Sequence, residues 1–221
     1  TASIGIALSD AGQDDADSLL RNADLAMYRA KSDGRARYVM FDPSMHTDTL
    51  ARLELESDLR RALDQGELRV HYQPIVAMET GKVSEVEALV RWQHPTRGLV
   101  SPVDFIPLAE ETGLIIPLGQ WVLEEACRQV AAWHRQFPSE PPLTLSVNLS
   151  PRQFQKPLLV ADVSRALHEA GLSAQYLKLE ITEGVLMRDV EATIQTLWDL
   201  KNLGLQIAID DFGTGYSSLS Y

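Results

Sequence analysis

Three observations predict an α/β fold built on a parallel sheet or a (β/α) barrel. Strand-like and helix-like stretches alternate from Leu68 to Asp210. The later strand-like stretches carry aliphatic residues at every second position, and the helical ones between them close on glycines such as Gly171 and Gly204. Strand followed by helix, repeated, is how parallel sheets and barrels are wound, because a parallel connection needs a crossover that a helix supplies.

The elements follow in order. "TASIGIAL" (1–8) predicts a strand, and a helix with Leu20, Ala23, Met27 and Ala30 on one face runs from there to Gly34. "RARYVMF" predicts a second strand, after which Asp42 and Pro43 mark a domain boundary. Ser44 to Gln65 predicts a helix whose charges occupy most of its faces, as suits a connector between domains, with Gly66 as its stop. The predicted division is therefore residues 1–42, a linker helix over 43–66, and a second domain over 67–221. "LRVHYQPIV" and "VSEVEALVRW", separated by the Thr80-Gly81 turn, predict a hairpin. A helix over Pro117–Gln136, the strand "LTLSVNLS", a helix over Leu158–Ala170, the strand "YLKLEIT", a helix over Val190–Leu203 and the strand "LQIAID" complete the alternation.

Composition limits the function. The chain has 221 residues, 45% hydrophobic and 23% charged, and a formal net charge of -11. Such an acidic surface argues against nucleic-acid binding, which requires cations to neutralise phosphates. Cys127 is the sole cysteine, so no disulfide forms within the chain, and a reducing, cytoplasmic compartment is expected. Gly113–Leu123, the most apolar run, is interrupted by Pro117 and Gln120 and falls short of the roughly 18 apolar residues of a membrane span. No membrane contact is expected within this chain, and any anchor would lie in segments outside it. The opening at Thr1, without an initiator Met, suggests a fragment of a longer parent.

Side chains alternate along a strand, so each predicted strand has two faces. Leu143, Leu145, Val147 and Leu149 oppose Asn148; Leu177, Leu179 and Ile181 oppose Glu180; Leu205, Ile207 and Ile209 oppose Asp210; Val86, Ala88 and Val90 oppose Glu87 and Arg91. In three of the four strands the polar residue lies near the C-terminal end, where barrels and doubly wound sheets hold their active sites. Taken singly, each has a plainer reading: Glu87 as a solvated or ion-paired acid, Asn148 as a hydrogen-bonded core amide, Arg91 as a structural ion-pair partner, 213–218 as a turn. Taken together, three carboxylates and an amide converging in one mouth would repel unless a cation joined them. All-oxygen donors select a hard ion, Mg²⁺ or Mn²⁺, and the five histidines show no paired ligand spacing. Asp211, directly after Asp210, allows one carboxylate to bridge two ions while its neighbour holds the second.

"YQPIV", "EALVRWQHP", "FIPLAEETGLI", "SVNLSPRQF", "LEITE" and "DDFGTGYSSLSY", in this order, resemble the EAL family of cyclic di-GMP phosphodiesterases of bacterial signalling proteins, from about Leu59 onward. The resemblance implies a TIM-like (β/α) barrel with an antiparallel first strand, truncated here after about the fifth strand. It implies that Glu87, Asn148, Glu180 and Asp210 are metal ligands, with Asp211 on the second metal. Gln73, Leu89 and Arg91 would hold the dinucleotide, Arg91 near a phosphate. The implied reaction is hydrolysis of one phosphodiester of cyclic di-GMP by a water that the metal activates, giving linear pGpG. The segment 212–221 matches the family loop that couples the metal site to homodimerisation. "SIGIA" and "ADLAMYRAKSDGRARY" resemble the end of an α+β GGDEF diguanylate cyclase domain, which implies triphosphate contacts for Lys31 and Arg35; the GGDEF signature itself would lie upstream of Thr1.

The family's later Lys, Glu and Gln would fall beyond Tyr221. A barrel ending here exposes two sheet edges, so the isolated 221-residue chain is expected to be unstable or to aggregate, against which a sharp two-state thermal unfolding would count. Loss of those later residues in the parent would leave a second reading, a receptor that binds cyclic di-GMP without cutting it. An unrelated metal-dependent barrel enzyme explains the strand pattern but not the ordered motifs.

Overall fold

The structure, a computed structural model, describes residues 1–9, 15–32, 34–186 and 190–210. Its contacts divide the chain into two units, Thr1–Asp58 and Leu59–Tyr221.

In the first unit β1 (Ile4–Ile6) pairs in parallel with β2 (Tyr38–Met40), joined through α1 (Ala16–Ser32). The start of α1 is capped by Asp15, whose Oδ1 accepts from the Ser18 amide at 2.6 Å, satisfying one of the donors a helix start leaves open. Gly5 is dictated by packing: a Cβ there would lie 1.9 Å from the Ala23 carbonyl oxygen, so no side chain fits between β1 and α1. Arg29 of α1 pairs with Asp48 at 3.2 Å, on the first turns of α2 (Ser44–Gln65). The buried residues of α2, Leu59 and Ala62, lie in its last turns, within the second unit.

The second unit is built on a sheet in the order β3 (Leu68–Ala77), β4 (Lys82–His94), β6 (Thr144–Leu149), β7 (Leu177–Thr182), β8 (Gln206–Asp210), with β5 (Gly98–Val100) paired to the far end of β4. Strand β3 runs antiparallel to β4, from Leu68↔Trp92 to Ala77↔Lys82, and β4, β6, β7 and β8 are mutually parallel. The hairpin and the parallel run are those the alternation predicts, and helices α4 (Ile115–Gln136), α6 (Leu159–Ala170) and α8 (Val190–Asn202) supply the crossovers.

One face of this sheet forms the core. Val86 and Ala88, Leu145, Val147 and Leu149, and Leu177, Leu179 and Ile181 pack with Val122, Ala126 and Val130 of α4 and Val163, Ala166 and Leu167 of α6. Each valine, leucine or isoleucine among them, fully buried, stabilises by about 1.5–3 kcal/mol. The largest apolar cluster therefore rests on this face, while Glu85, Glu87, Asn148 and Glu180 stand on the opposite one. Cys127 is free and buried, and burial, with Glu124 beside it, pushes its thiol up to about 12, so it stays protonated at neutral pH.

Several elements were not announced by the sequence pattern, among them a short strand and a two-proline helix. Strand β5 has three residues, too few for a period to register. Helix α3 (Pro102–Thr112) contains Pro102 and Pro107, which read as breaks. Pro102 sits in the first turn, where its missing N–H is lost at no cost, whereas Pro107 is accommodated inside the helix, beside the buried Phe105, Leu108 and Ala109. For the same reason α4 begins at Ile115, ahead of Pro117, since a proline in the first turn removes a donor that has no partner there.

Candidate active site

The polar face of the sheet collects the chemistry. Period-two alternation places Glu85, Glu87, Leu89 and Arg91 of β4 beside Ser146 and Asn148 of β6, then Lys178, Glu180 and Thr182 of β7, then Ala208 and Asp210 of β8. Strand register sets the neighbours: Glu87 lies opposite Gln73 on one side and Ser146 on the other, Asn148 opposite Glu180, and Thr182 opposite Asp210.

Two hydrogen bonds organise this face. The Asn148 Nδ2 donates to Glu87 Oε1 at 2.7 Å, and the buried Ser146 Oγ donates to Glu180 Oε1 at 2.6 Å. Each carboxylate thus has one oxygen held, while Glu87 Oε2, Glu180 Oε2 and Asn148 Oδ1 carry no hydrogen bond among the described residues. The Glu180 carboxyl is raised above its ordinary value, first by loss of hydration and further by the charges of Glu87, Asp210 and Glu85, against the lowering effect of Ser146. Four acids therefore act on one another in a partly dehydrated setting, which a cation would relieve.

Donor chemistry fits a hard divalent ion: two carboxylate oxygens and an amide oxygen, with Asp210 on the neighbouring strand. Among the described residues no three His, Cys, Asp or Glu side chains are gathered closely enough to coordinate one ion by themselves, so an ion on this face would need a further donor such as the amide of Asn148. Two of the histidines have structural work. His94 Nδ1 accepts from the backbone amides of Thr96 and Arg97 at 3.2 and 3.1 Å, and His134 Nε2 bonds the Leu143 carbonyl at 2.7 Å.

A cleft of about 280 Å³ opens beside the acids, lined among others by Leu89, Arg91, Ile106, Asn148, Glu180 and Thr182. Arg91 is half-buried, and its Nη1 donates to the Val90 carbonyl at 2.8 Å, which holds the guanidinium at the wall. Gln73, Glu87, Leu89, Arg91, Asn148, Glu180 and Asp210 thus share one face of one sheet. Asp211 and the stretch 212–221 lie outside the described residues. In the first unit Lys31 and Arg35 are both exposed, one in the last turn of α1 and the other in the turn after it with φ 60°.

Reading the sequence strand by strand missed Ser146, Glu85 and Lys178. The signal was present, since each stands two positions before a residue that the alternation did single out: Asn148, Glu87 and Glu180.

Residues 1–37 match the diguanylate cyclase GGDEF domain. The chain is 46% identical over 225 residues to the bifunctional diguanylate cyclase/cyclic di-GMP phosphodiesterase MucR of Pseudomonas aeruginosa, covering 100% of this chain and 32% of that protein. It is 41% identical over 220 residues to the cyclic di-GMP phosphodiesterase PdeR of Escherichia coli, covering 100% of this chain and 35% of that protein. The chain therefore spans about a third of the length of these two relatives. Among solved structures it resembles the PaMucR phosphodiesterase in complex with c-di-GMP, with a TM-score of 0.72 and 48% identity over 76% of this chain and 67% of that one. Residues 56–221, most of the chain, match the EAL domain, and the protein belongs to the EAL domain family.

Proposed function

We propose that the EAL domain of this protein hydrolyses cyclic di-GMP to linear pGpG with the help of Mg²⁺ or Mn²⁺. The observation that carries the reading is the pairing of Asn148 with Glu87 and of Ser146 with Glu180. It leaves three oxygens uncommitted beside a cleft walled by Arg91. The names of MucR and PdeR and the c-di-GMP bound to PaMucR support the choice of substrate.

Glu87, Asn148, Glu180 and Asp210 would hold the ion, and Asp211 would hold a second. The ion supplies positive charge that lowers the pKa of a water and offsets the charge of the phosphate. Arg91 pairs with the phosphate, and Gln73 and Leu89 line the path of the dinucleotide. In the reaction the water oxygen bonds to phosphorus, the ring phosphodiester P–O bond breaks, and a proton ends on the departing ribose oxygen. The fixed carboxylates orient this exchange without needing to reorganise.

The free Cys127 suits a reducing compartment, and the domain is read as cytoplasmic. Among the described residues no helix is long and apolar enough to cross a membrane. The segment 212–221 is read as the link between the metal site and a homodimer, a reading that a monomer in light scattering at micromolar concentration contradicts.

Turnover of cyclic di-GMP by the full-length protein with Mg²⁺, run beside its Glu87→Ala variant, tests the proposal. Linear pGpG from the parent and none from the variant supports it. Binding without cleavage by the parent replaces it with a receptor that senses the dinucleotide.

A further inference from the structure

Below the proposed ligands, on the same face of the sheet, lies an ion pair between Lys178 and Glu85. Each stands two residues before a proposed ligand, Lys178 before Glu180 on β7 and Glu85 before Glu87 on β4. One pleat of the sheet therefore separates the pair from the ligands. Ser146 is in register with both Glu87 and Lys178, so the lysine side chain reaches past β6 to meet a carboxylate two strands away. The two side chains are 22% and 12% exposed, and Glu85 Oε1 is buried without a hydrogen-bond partner among the described residues.

Stability alone gives little reason for this arrangement. A buried pair costs both ions their hydration, and well-packed apolar residues of similar volume often do as well or better. A carboxylate oxygen left without a donor adds to that cost. What distinguishes this place is the layer above it. Unpaired, Glu85 would be one more oxygen donor beneath Glu87 and Glu180 and could draw a divalent ion down into the sheet. Bound to an ammonium that the protein itself supplies, it is removed from competition.

The geometry points to Lys178 as a positioning residue whose ammonium, fixed on Glu85, closes the floor of the carboxylate cluster and confines a divalent ion to the layer of Glu87, Asn148 and Glu180. This inference rests on the reading of that layer as a metal site. It makes the two members of the pair opposite in effect. Removing the lysine charge adds a net negative charge under the ion, and removing the glutamate charge leaves a positive one there.

The test is Mn²⁺ binding by calorimetry on the full-length protein, with thermal midpoints recorded in chelator. Lys178→Met is expected to tighten Mn²⁺ binding by about tenfold or to add a second equivalent, Glu85→Gln to weaken it by about tenfold, and the double variant to return near the parent value. Turnover should fall in both single variants, because the ion is displaced in one and weakly held in the other. If Lys178→Met fails to fold, Glu85→Gln still carries the comparison, with the double variant as the check that its loss is restored. Unchanged Mn²⁺ affinity and stoichiometry in Glu85→Gln, with only the thermal midpoint moving, would reduce the pair to a structural contact and overturn the inference. A parent that binds no Mn²⁺ at all would overturn the metal-site reading itself, a result distinct from the first.

Discussion

Asn148 and Glu87, 61 residues apart in the chain, meet at 2.7 Å with the amide nitrogen donating to the carboxylate. The direction of that bond matters. By turning Nδ2 toward Glu87 it turns Oδ1 away, so a single contact orients two of the proposed ligands.

Asn148→Ala should therefore weaken divalent-ion binding and turnover by about 10–100-fold, the usual cost of losing a group that holds or orients a metal ligand. Asn148 is exposed, so the thermal midpoint should scarcely move. Parallel calorimetry and thermal melts check both halves.

Arg91→Ala should raise KM for cyclic di-GMP more than it lowers kcat. A charged hydrogen bond to phosphate is worth about 1.5–3 kcal/mol, which corresponds to a loss of roughly 10–150-fold in kcat/KM. Arg91→Lys should recover only part of this, because an ammonium cannot reproduce the planar fork. Steady-state kinetics on the three proteins decide it.

Glu180 gives the site a pH signature. Its folded-state pKa lies above the ordinary 4.5, chiefly through lost hydration, so the contribution to stability is fully present below about that pH and is lost as pH rises through the folded-state value. In chelator the parent should lose stability relative to Glu180→Gln as pH rises from there toward neutrality. Added Mg²⁺ should reverse the order, since the ion needs the ionised carboxylate. Thermal melts against pH, with and without the ion, read this out.

Gly119 of α4 lies against the side chain of Gln153, whose Nε2 would be 2.0 Å from a Cβ at that position. Gln153 and Ser150 cap the short helix α5 (Pro151–Phe154) reciprocally, at 3.2 and 3.3 Å. Gly119→Ala should expel the glutamine end and lose the cap, about 1 kcal/mol. A melt should show this as a fall of about 2–4 °C. Because Gly119 and Gln153 both line the cleft, dinucleotide binding should weaken as well.

Much of the site was legible because alternation along a strand is a local property. Glu87, Asn148, Glu180 and Asp210 each stand out against their own aliphatic row, and no knowledge of strand order is needed to see it. What a strand-by-strand reading could not provide was partnership. That Ser146 serves Glu180, 34 residues away, and that Lys178 reaches Glu85, 93 residues away, depends on β6 lying between β4 and β7. The fold was legible in the same measure: the hairpin and the parallel run follow from period and turn residues, whereas α3 was hidden by Pro107 and β5 by its brevity.

The most direct test of the metal-dependent phosphodiesterase reading is to incubate the full-length protein with cyclic di-GMP after chelation and again after Mg²⁺ or Mn²⁺ is restored, resolving the products by chromatography. The account predicts intact cyclic dinucleotide in chelator and linear pGpG on restoring the ion. Cleavage that persists in chelator, or none under either condition, would contradict it.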